Sequence, residues 1–127
     1  MQVAKNYSIE ISDQITVAEL KHKFSDLFPY LKIELFRKPH NQGELSAASD
    51  QIPQTQKIGM LIRNAVERNI SLVPQRTVAE VESEFSNRFG LNVQVFRKSG
   101  SVWIETSLTD AWTLEAQNRE GFELSRH

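Results

Sequence analysis

Residues 16–38, TVAELKHKFSDLFPYLKIELFRK, return later in the chain as residues 77–98, TVAEVESEFSNRFGLNVQVFRK. With one gap at Tyr30, the two stretches share eleven identical residues, at an offset of 61 before the gap and 60 after it. A repeat of this kind is typical of a chain built from copies of one supersecondary unit. We therefore predict two internal repeats, 7–38 and 69–98, inside a single domain that spans residues 1–127.

Each repeat predicts a strand, a helix and a second strand. Apolar and polar residues alternate in 7–11 and 31–36, and again in 70–72 and 91–96, which is typical of half-buried strands. Between the strands of each repeat, apolar residues recur at helical spacing. The sequence therefore predicts one amphipathic helix in each unit, with its apolar side against the sheet.

A capping box opens each predicted helix. Thr16 precedes Glu19 by three residues, and Thr77 precedes Glu80 by the same distance. At this spacing each side chain can bind an unpaired backbone N–H group at the start of the helix. The repeated threonine and glutamate are thus explained by structure, without any chemistry.

The two helices differ in charge on one flank. Lys21 and Lys23 occupy the positions that Glu82 and Glu84 hold in the second copy. A twofold axis would bring equivalent flanks together, so we predict that the helices meet along sides of opposite charge. The alternative is independent drift on two solvated faces, because exposed ion pairs contribute only about 0–1 kcal/mol.

The fold class predicted from these elements is α+β. Duplicated strand-helix-strand units would form a sheet with both capped helices on one face, in a ferredoxin-like arrangement with pseudo-twofold symmetry. The alternative is a pair of ubiquitin-like β-grasp repeats. A β-grasp needs a two-stranded hairpin before its helix, and only one clear strand precedes Thr16.

The remaining segments are less regular. Residues 39–56 are polar, contain two prolines and one glycine, and predict a loop. A short helix is predicted over 58–66, with Thr55 as its N-cap. The extension 101–121 predicts a strand from Val102 and then a helix that is capped by Thr109 or Thr113 and runs to about Gly121.

Composition excludes several kinds of function. The 127 residues carry a net charge of −1, so no overall basic field favours nucleic acid. There is no cysteine, which excludes disulfides and thiolate chemistry, and the three histidines lack the spacing of a metal site. We predict no enzyme activity and no cofactor. No apolar run is long enough for a signal peptide or a membrane span, so the expected location is cytoplasmic.

The C-terminal part of the chain resembles the ends of small, uncharacterised bacterial proteins. The resemblance lies in Phe96-Arg97-Lys98-Ser99-Gly100, in Val102-Trp103 and in the segment TDAWTLEAQN at 109–118. It covers roughly residues 77–121. No known activity is attached to that group, so the resemblance implies none for these residues.

Strand parity predicts an aromatic surface. Leu31, Ile33 and Leu35 share one face of their strand, so Phe36 lies on the other, and the same parity assigns Phe96 and Trp103 to the helix-free face. A two-residue turn at Ser99-Gly100 would place Phe96 opposite Trp103. The functional interpretation is a binding platform. The alternative is that the last helix or the loop 39–56 covers these aromatics as a second small core.

The predicted function is therefore a non-enzymatic domain for protein interaction or self-association, with a protein partner or a second copy on the aromatic face. The candidate site residues are Phe36, Arg37, Phe96, Arg97, Trp103 and Trp112. The alternative is single-stranded nucleic-acid binding through the repeated Phe-Arg-Lys strand ends, where aromatics would stack on bases and cations would bind phosphates.

Overall fold

The computed structural model of the chain describes residues 5–39, 48–62 and 67–126. Within these ranges the strands are β1 (Ser8–Glu10), β2 (Leu31–Phe36), β3 (Asn69–Ser71), β4 (Asn92–Ser99) and β5 (Val102–Glu105). The α-helices are α1 (Val17–Leu27), α2 (Val78–Glu84) and α3 (Leu114–Ser125). The fold is α+β, as the sequence predicts.

The five strands form two small antiparallel sheets rather than one. Among the described residues β1 pairs with β3 alone, and the second sheet has the order β2-β4-β5. A ferredoxin-like arrangement would place the strands of both units in a single sheet, and a β-grasp would place a hairpin before each helix. The described residues show neither the ferredoxin-like nor the β-grasp arrangement. The reason is that each strand of the first unit pairs with its counterpart in the second unit, which divides the strands between two sheets.

Equivalent residues of the two repeats face each other at the centre of both ladders. In the first sheet Ile9 lies opposite Ile70, the residue at the repeat offset of 61. In the second sheet Glu34 lies opposite Gln94, at the offset of 60 that follows the gap. An antiparallel ladder centred on equivalent residues has a local twofold axis through its central pair. Close superposition of the complete backbones of the two repeats stays a prediction.

The starts of α1 and α2 are held by corresponding backbone hydrogen bonds. The Val17 N–H donates to the Gln56 carbonyl at 2.8 Å, and the equivalent Val78 N–H donates to the Trp112 carbonyl at 3.0 Å. A second corresponding pair of bonds runs from Ile58 to Ile15 and from Leu114 to Arg76, both at 2.8 Å. The segments that precede Ile58 and Leu114 therefore occupy similar places, although their sequences did not align.

Both predicted capping boxes are confirmed. Thr16 Oγ1 accepts the Glu19 N–H at 3.2 Å, while Glu19 Oε1 accepts the Thr16 N–H at 3.0 Å. Thr77 and Glu80 exchange the same two bonds at 3.1 and 3.2 Å. Four backbone donors at the helix starts are thus satisfied by side chains. After Glu84 the second helix continues as a π-helical turn, Phe85–Phe89, and Gly90 follows in the left-handed region with φ 69°.

One hydrophobic core lies between the two sheets and the helices. The apolar side chains of α1 and α2 are buried in it together with those of β1, β3 and the inward face of β2 and β4. Phe24, Phe85 and Phe89 are completely buried, and each contributes about 1.5–3 kcal/mol through removal from water. The core therefore joins residues of both repeats.

Three segments differ from the sequence-based expectation. The loop 39–56 contains a 3-10 turn, Ala48–Asp50, and its residues 40–47 lie outside the described residues. The helix predicted over 58–66 is a single 3-10 turn, Ile58–Met60, with Lys57 at its N-cap, and residues 63–66 lie outside the described ranges. The last helix begins after Thr113 and continues past Gly121 to Ser125.

Candidate interaction surface

The hairpin between β4 and β5 differs in register from the prediction. Lys98 lies opposite Trp103, and Phe96 lies opposite Glu105. The central turn residues are Gly100 and Ser101 rather than Ser99 and Gly100, with Gly100 at φ 64°. A two-residue turn with a positive φ at its first central position favours glycine there. The turn therefore falls one residue later, which displaces Trp103 from Phe96 but keeps both side chains on one face.

Phe96 and Trp103 lie together around a lysine from the neighbouring strand. Lys32 is opposite Phe96 in the β2–β4 ladder, and its Nζ lies 5.3 Å from the centroid of each of the two rings. A cation above an aromatic face is attracted by the ring quadrupole. Lys32 thus holds the two rings in one cluster, and Trp103 stays 36% exposed.

A buried carboxylate fixes the position of Lys32. Glu34 Oε2 lies 3.1 Å from Lys32 Nζ, and Glu34 Oε1 accepts a hydrogen bond from Lys21 Nζ at 2.7 Å. Burial of Glu34 disfavours its charged form, but the hydrogen bonds from the two lysines outweigh burial and lower the pKa of Glu34 below its ordinary value. The carboxylate stays ionised and anchors both ammonium groups.

Phe36 is not part of this surface. It lies opposite Asn92, whereas Phe96 lies opposite Lys32, so the two phenylalanines are at opposite ends of the ladder. Measured along the strand direction, Phe36 and Phe96 are about 13 Å apart, because four residues separate Phe36 from the residue opposite Phe96. Phe36 is buried, and its backbone pairs with Gln51 of the predicted loop. The expected platform of three aromatics is therefore wrong, because antiparallel pairing separates equivalent strand ends.

The two arginines of the repeated Phe-Arg-Lys motif also lie apart. Arg37 is exposed at the end of β2, where its Nη1 donates to the Gln51 carbonyl at 3.1 Å. Arg97 alternates with Phe96 and so points to the other face of the sheet, where its Nη1 donates to Gln117 of α3 at 2.8 Å. Its guanidinium lies 5.6 Å from the ring centroid of Trp112, which is exposed.

The last helix covers the face that carries Arg97, not the face that carries Phe96. A Cβ atom at Gly121 would lie 3.2 Å from Arg97 Cγ, which shows how closely α3 approaches that side. The sequence left open whether the last helix would cover the aromatics. The structure places it on the opposite side, so Trp103 stays accessible.

The outer edge of β5 is the feature that sequence reasoning missed. Within the described part of the chain, β5 pairs with β4 alone. Its residues Val102, Trp103 and Ile104 are consecutive, apolar and 56, 36 and 36% exposed. Parity, which assigns Trp103 to the helix-free face, assigns Val102 and Ile104 to the core side. The edge position of β5 depends on the order β2-β4-β5 of the second sheet, a long-range property that parity does not contain.

The backbone of this edge has donors and acceptors that point outward. Thr106 N–H donates to the Val95 carbonyl at 3.2 Å, which marks one hydrogen-bonded pair of the β4–β5 ladder. Bonded and non-bonded pairs alternate along an antiparallel ladder. The N–H and C=O groups of Trp103 therefore point away from β4, toward any strand that would lie beside β5.

The geometry of the described residues gives little support for a metal site, a membrane span or a histidine-based site. Among the residues that the structure describes, no group of three or more His, Asp or Glu side chains could hold a metal ion. No helix in the described ranges is both long and apolar enough to cross a membrane. His22 and Asp26 lie 3.4 Å apart on α1, but both side chains are exposed.

Comparison with protein family models, with curated proteins and with solved structures finds no match for this chain. The interpretation of the surface therefore depends on its own geometry. That geometry combines an open strand edge, three exposed apolar side chains and the Phe96–Trp103 pair in contact with Lys32, at one end of the second sheet.

Proposed function

We propose that the protein is a non-enzymatic interaction domain that associates with a second copy of itself through the edge of β5. The observation that supports this proposal is the row of exposed apolar residues, Val102, Trp103 and Ile104, on an unpaired strand edge. Proteins that do not use an edge strand for binding usually protect it with charges, proline or a covering segment. None of these lies within the three residues.

A second copy fits this edge because the edge is complementary to itself. In an antiparallel pair centred on Trp103, the outward N–H and C=O groups of Trp103 would bond to the same groups of the second copy. The two indoles would then lie side by side, and Val102 would meet Ile104 of the second copy on the other face. One twofold axis thus gives every exposed apolar residue of β5 an apolar partner.

Single-stranded nucleic-acid binding receives less support from the geometry. A binding sheet would need its aromatics and cations on one continuous face. Here Phe36 and Phe96 lie at opposite ends of the ladder, and Arg97 is held beneath α3 by Gln117. Within the described part of the chain, the aromatic face offers Phe96 and Trp103 as a stacking surface.

The proposal is tested by placing a charge in the middle of the edge. We expect the wild-type chain to sediment as a dimer, and the variants Trp103→Lys and Ile104→Lys to sediment as monomers, with the dissociation constant raised at least about tenfold by an inward-facing charge at the interface. Leu108→Lys is the matched control, since Leu108 is almost fully exposed but lies outside β5.

Two results would contradict the proposal. One is a wild-type chain that is monomeric at high micromolar concentration, and the other is equal weakening by all three lysine variants. Association of the wild type with an oligonucleotide that falls steeply with salt would instead favour the nucleic-acid alternative. Circular dichroism of each variant checks that the fold is retained.

A further inference from the structure

The outer strand of the second sheet is exposed on the same face that α3 packs against. The helix lies over β4, where Gln117 Oε1 accepts a hydrogen bond from Arg97 Nη1 at 2.8 Å. Val102 and Ile104 of β5 lie on this face as well, because Ile104 is opposite Arg97 and alternate residues share a face. They stay 56 and 36% exposed beside the helix. The apolar surface of β5 therefore continues from the strand edge toward α3.

The two flanks of α3 face different strands. Toward β2, Asn118 Oδ1 accepts the Tyr30 N–H at 2.8 Å, and the centroid of the Phe122 ring lies 5.5 Å from that of Tyr30. With about 3.6 residues per turn, Glu120 and Leu124 come on the opposite flank, toward β5. Leu124 is 40% exposed. The side of α3 nearest the open strand edge thus presents an exposed leucine.

The edge of β5 alone is small for a stable interface. The strand has four residues, Val102–Glu105. A stable protein–protein interface has about 20–30 residues and about 800 Å² of buried surface on each side. Association through β5 therefore needs further surface on the faces of the sheet next to this edge.

The twofold axis at β5 would bring the two copies of α3 close together. Pairing of β5 with β5 of the second copy places the two β4 strands three strand spacings apart, which is about 14 Å. Because each α3 lies over its own β4, the two helix axes would be separated by a similar distance. A helix with its side chains is about 10–12 Å wide, so a gap of about 2–4 Å would separate the facing flanks. A long side chain closes such a gap.

The residues nearest the axis belong to the flank that faces β5. The axis passes through the middle of β5, level with Lys98 of β4. This level lies between the two points where β4 is bonded to α3, at Gln117 and at Ser125. Glu120 and Leu124 lie between these two residues of the helix. Sheet twist makes the two helices cross, so their approach is closest at this level.

We propose that the dimer interface has a second layer, in which the β5-facing flank of α3 packs against the same flank of α3 in the second copy. This inference rests on the proposed association through β5 and adds the helix to it. Leu124 of each copy would cover Val102 and Ile104 from above, and so remove from water the apolar surface that strand pairing leaves open. The interface would then have an apolar centre and a charged rim formed by Glu120.

Glu120 gives the second layer a measurable sign. The two copies of Glu120 would approach each other across the axis, and like charges repel. Glu120→Gln should therefore strengthen association, and the gain should shrink at high salt, which screens the charges. Association through β5 alone would not respond to this substitution on α3.

The first test compares two residues of α3 with equal exposure. Leu124 and Phe122 are both 40% exposed but lie on opposite flanks. In sedimentation of the full chain, Leu124→Glu should raise the dimer dissociation constant at least about tenfold, while Phe122→Glu should leave it unchanged. If glutamate disturbs the fold at either position, Leu124→Ala and Phe122→Ala apply the same comparison with a smaller effect.

The second test uses the absence of cysteine from the chain. In a dimer of Glu120→Cys the two thiols would face each other across the gap, so a short bis-maleimide should join the two chains. In Glu115→Cys the thiol would lie on the side of α3 away from β5, and the same reagent should leave the chains separate. Equal cross-linking of both variants, or of neither in a protein that sediments as a dimer, would overturn the proposal.

The outcomes also separate this proposal from the one on which it rests. Dissociation of the dimer by Trp103→Lys and by Leu124→Glu supports both layers. Dissociation by Trp103→Lys alone would keep the strand edge as the interface and overturn the role of α3. A wild-type chain that is monomeric at high micromolar concentration would overturn both proposals.

Discussion

Glu34 shows how one buried charge is retained at the level of a single residue. The carboxylate is accompanied by two lysines, Lys21 on α1 and Lys32 on the same strand. The sequence predicted that the helix flank with Lys21 and Lys23 would meet the flank with Glu82 and Glu84. Instead Lys21 binds the sheet, and Glu84 binds Arg76 and Arg88, so the predicted contact between charged helix flanks is wrong.

Removal of Lys21 should destabilise the fold. The Lys21→Met variant keeps the aliphatic part of the side chain but leaves Glu34 with Lys32 alone, and loss of one partner from a buried ion pair costs about 3 kcal/mol. Lys23→Met, at an exposed position on the same helix, should change the free energy of unfolding by less than about 0.5 kcal/mol. Urea unfolding measures both, and equal effects would contradict a special role of Lys21.

Glu34 should also contribute to the pH dependence of stability. Its pKa is lower in the folded chain than its ordinary value of 4.5, so the unfolded chain takes up the proton first as the pH falls. The stabilisation is therefore present above the unfolded pKa and is lost as the pH falls through the folded pKa. The Glu34→Gln variant should show a shallower loss of stability below about pH 5 than the wild type or the exposed control Glu10→Gln.

At the level of elements, the capping boxes give the most direct prediction. Thr77→Ala removes the acceptor for the Glu80 N–H and should cost about 1 kcal/mol of unfolding free energy, whereas Thr77→Ser should cost little because it keeps the hydroxyl. Thr55→Ala is the control, since Thr55 is exposed and is not the N-cap that the sequence suggested. An equal loss at Thr55 and Thr77 would show that the cap is not responsible.

Gly121 gives a second prediction for α3. Alanine is the better helix former by about 1 kcal/mol. However, a Cβ at this position would lie 2.8 Å from Tyr30 Cβ and 3.0 Å from the Tyr30 carbonyl oxygen. The backbone of Tyr30 cannot move aside easily, so the steric effect should dominate and Gly121→Ala should destabilise by about 1–3 kcal/mol. Thermal unfolding decides the sign, with Glu123→Ala as an exposed control on the same helix.

Local signals explain which elements the sequence could predict. The caps at Thr16 and Thr77 and the alternation in β2 and β4 depend on neighbours a few residues away, and these elements are found where expected. Strand pairing across the repeats is a long-range property. Neither the division into two sheets nor the separation of Phe36 from Phe96 can be obtained from parity alone.

The candidate surface was predictable only in part, for the same reason. Parity correctly placed Phe96 and Trp103 on one face, and that face is free of α3. The cover of Arg97 by Gln117 depends on where the last helix lies, which no local pattern specifies. The exposure of Val102 and Ile104 depends on the absence of a strand beside β5 in the described structure.

For the whole molecule, both sheets combine strands from the two repeats. β1 needs β3, and β2 needs β4, so neither repeat has a complete sheet of its own. The bonds that extend the first ladder are also shared: the Ile11 N–H donates to Arg68, and the Leu72 N–H donates to Tyr7, both at 2.8 Å. The internal duplication stays a prediction, which the pairing of equivalent residues supports.

The chain should therefore unfold as one cooperative unit, and damage to either repeat should weaken both. Phe24→Ala and its equivalent Phe85→Ala each empty a completely buried position and should cost about 3–5 kcal/mol. In native-state hydrogen exchange, the Glu34 and Gln94 amides should lose protection by the same free energy in either variant, because they form a hydrogen-bonded pair of the β2–β4 ladder and these strands separate only when the whole sheet opens. If Phe24→Ala lowers protection at Glu34 alone, the repeats are independent folding units. Where alanine prevents folding, Phe24→Leu and Phe85→Leu apply the same comparison at a smaller cost.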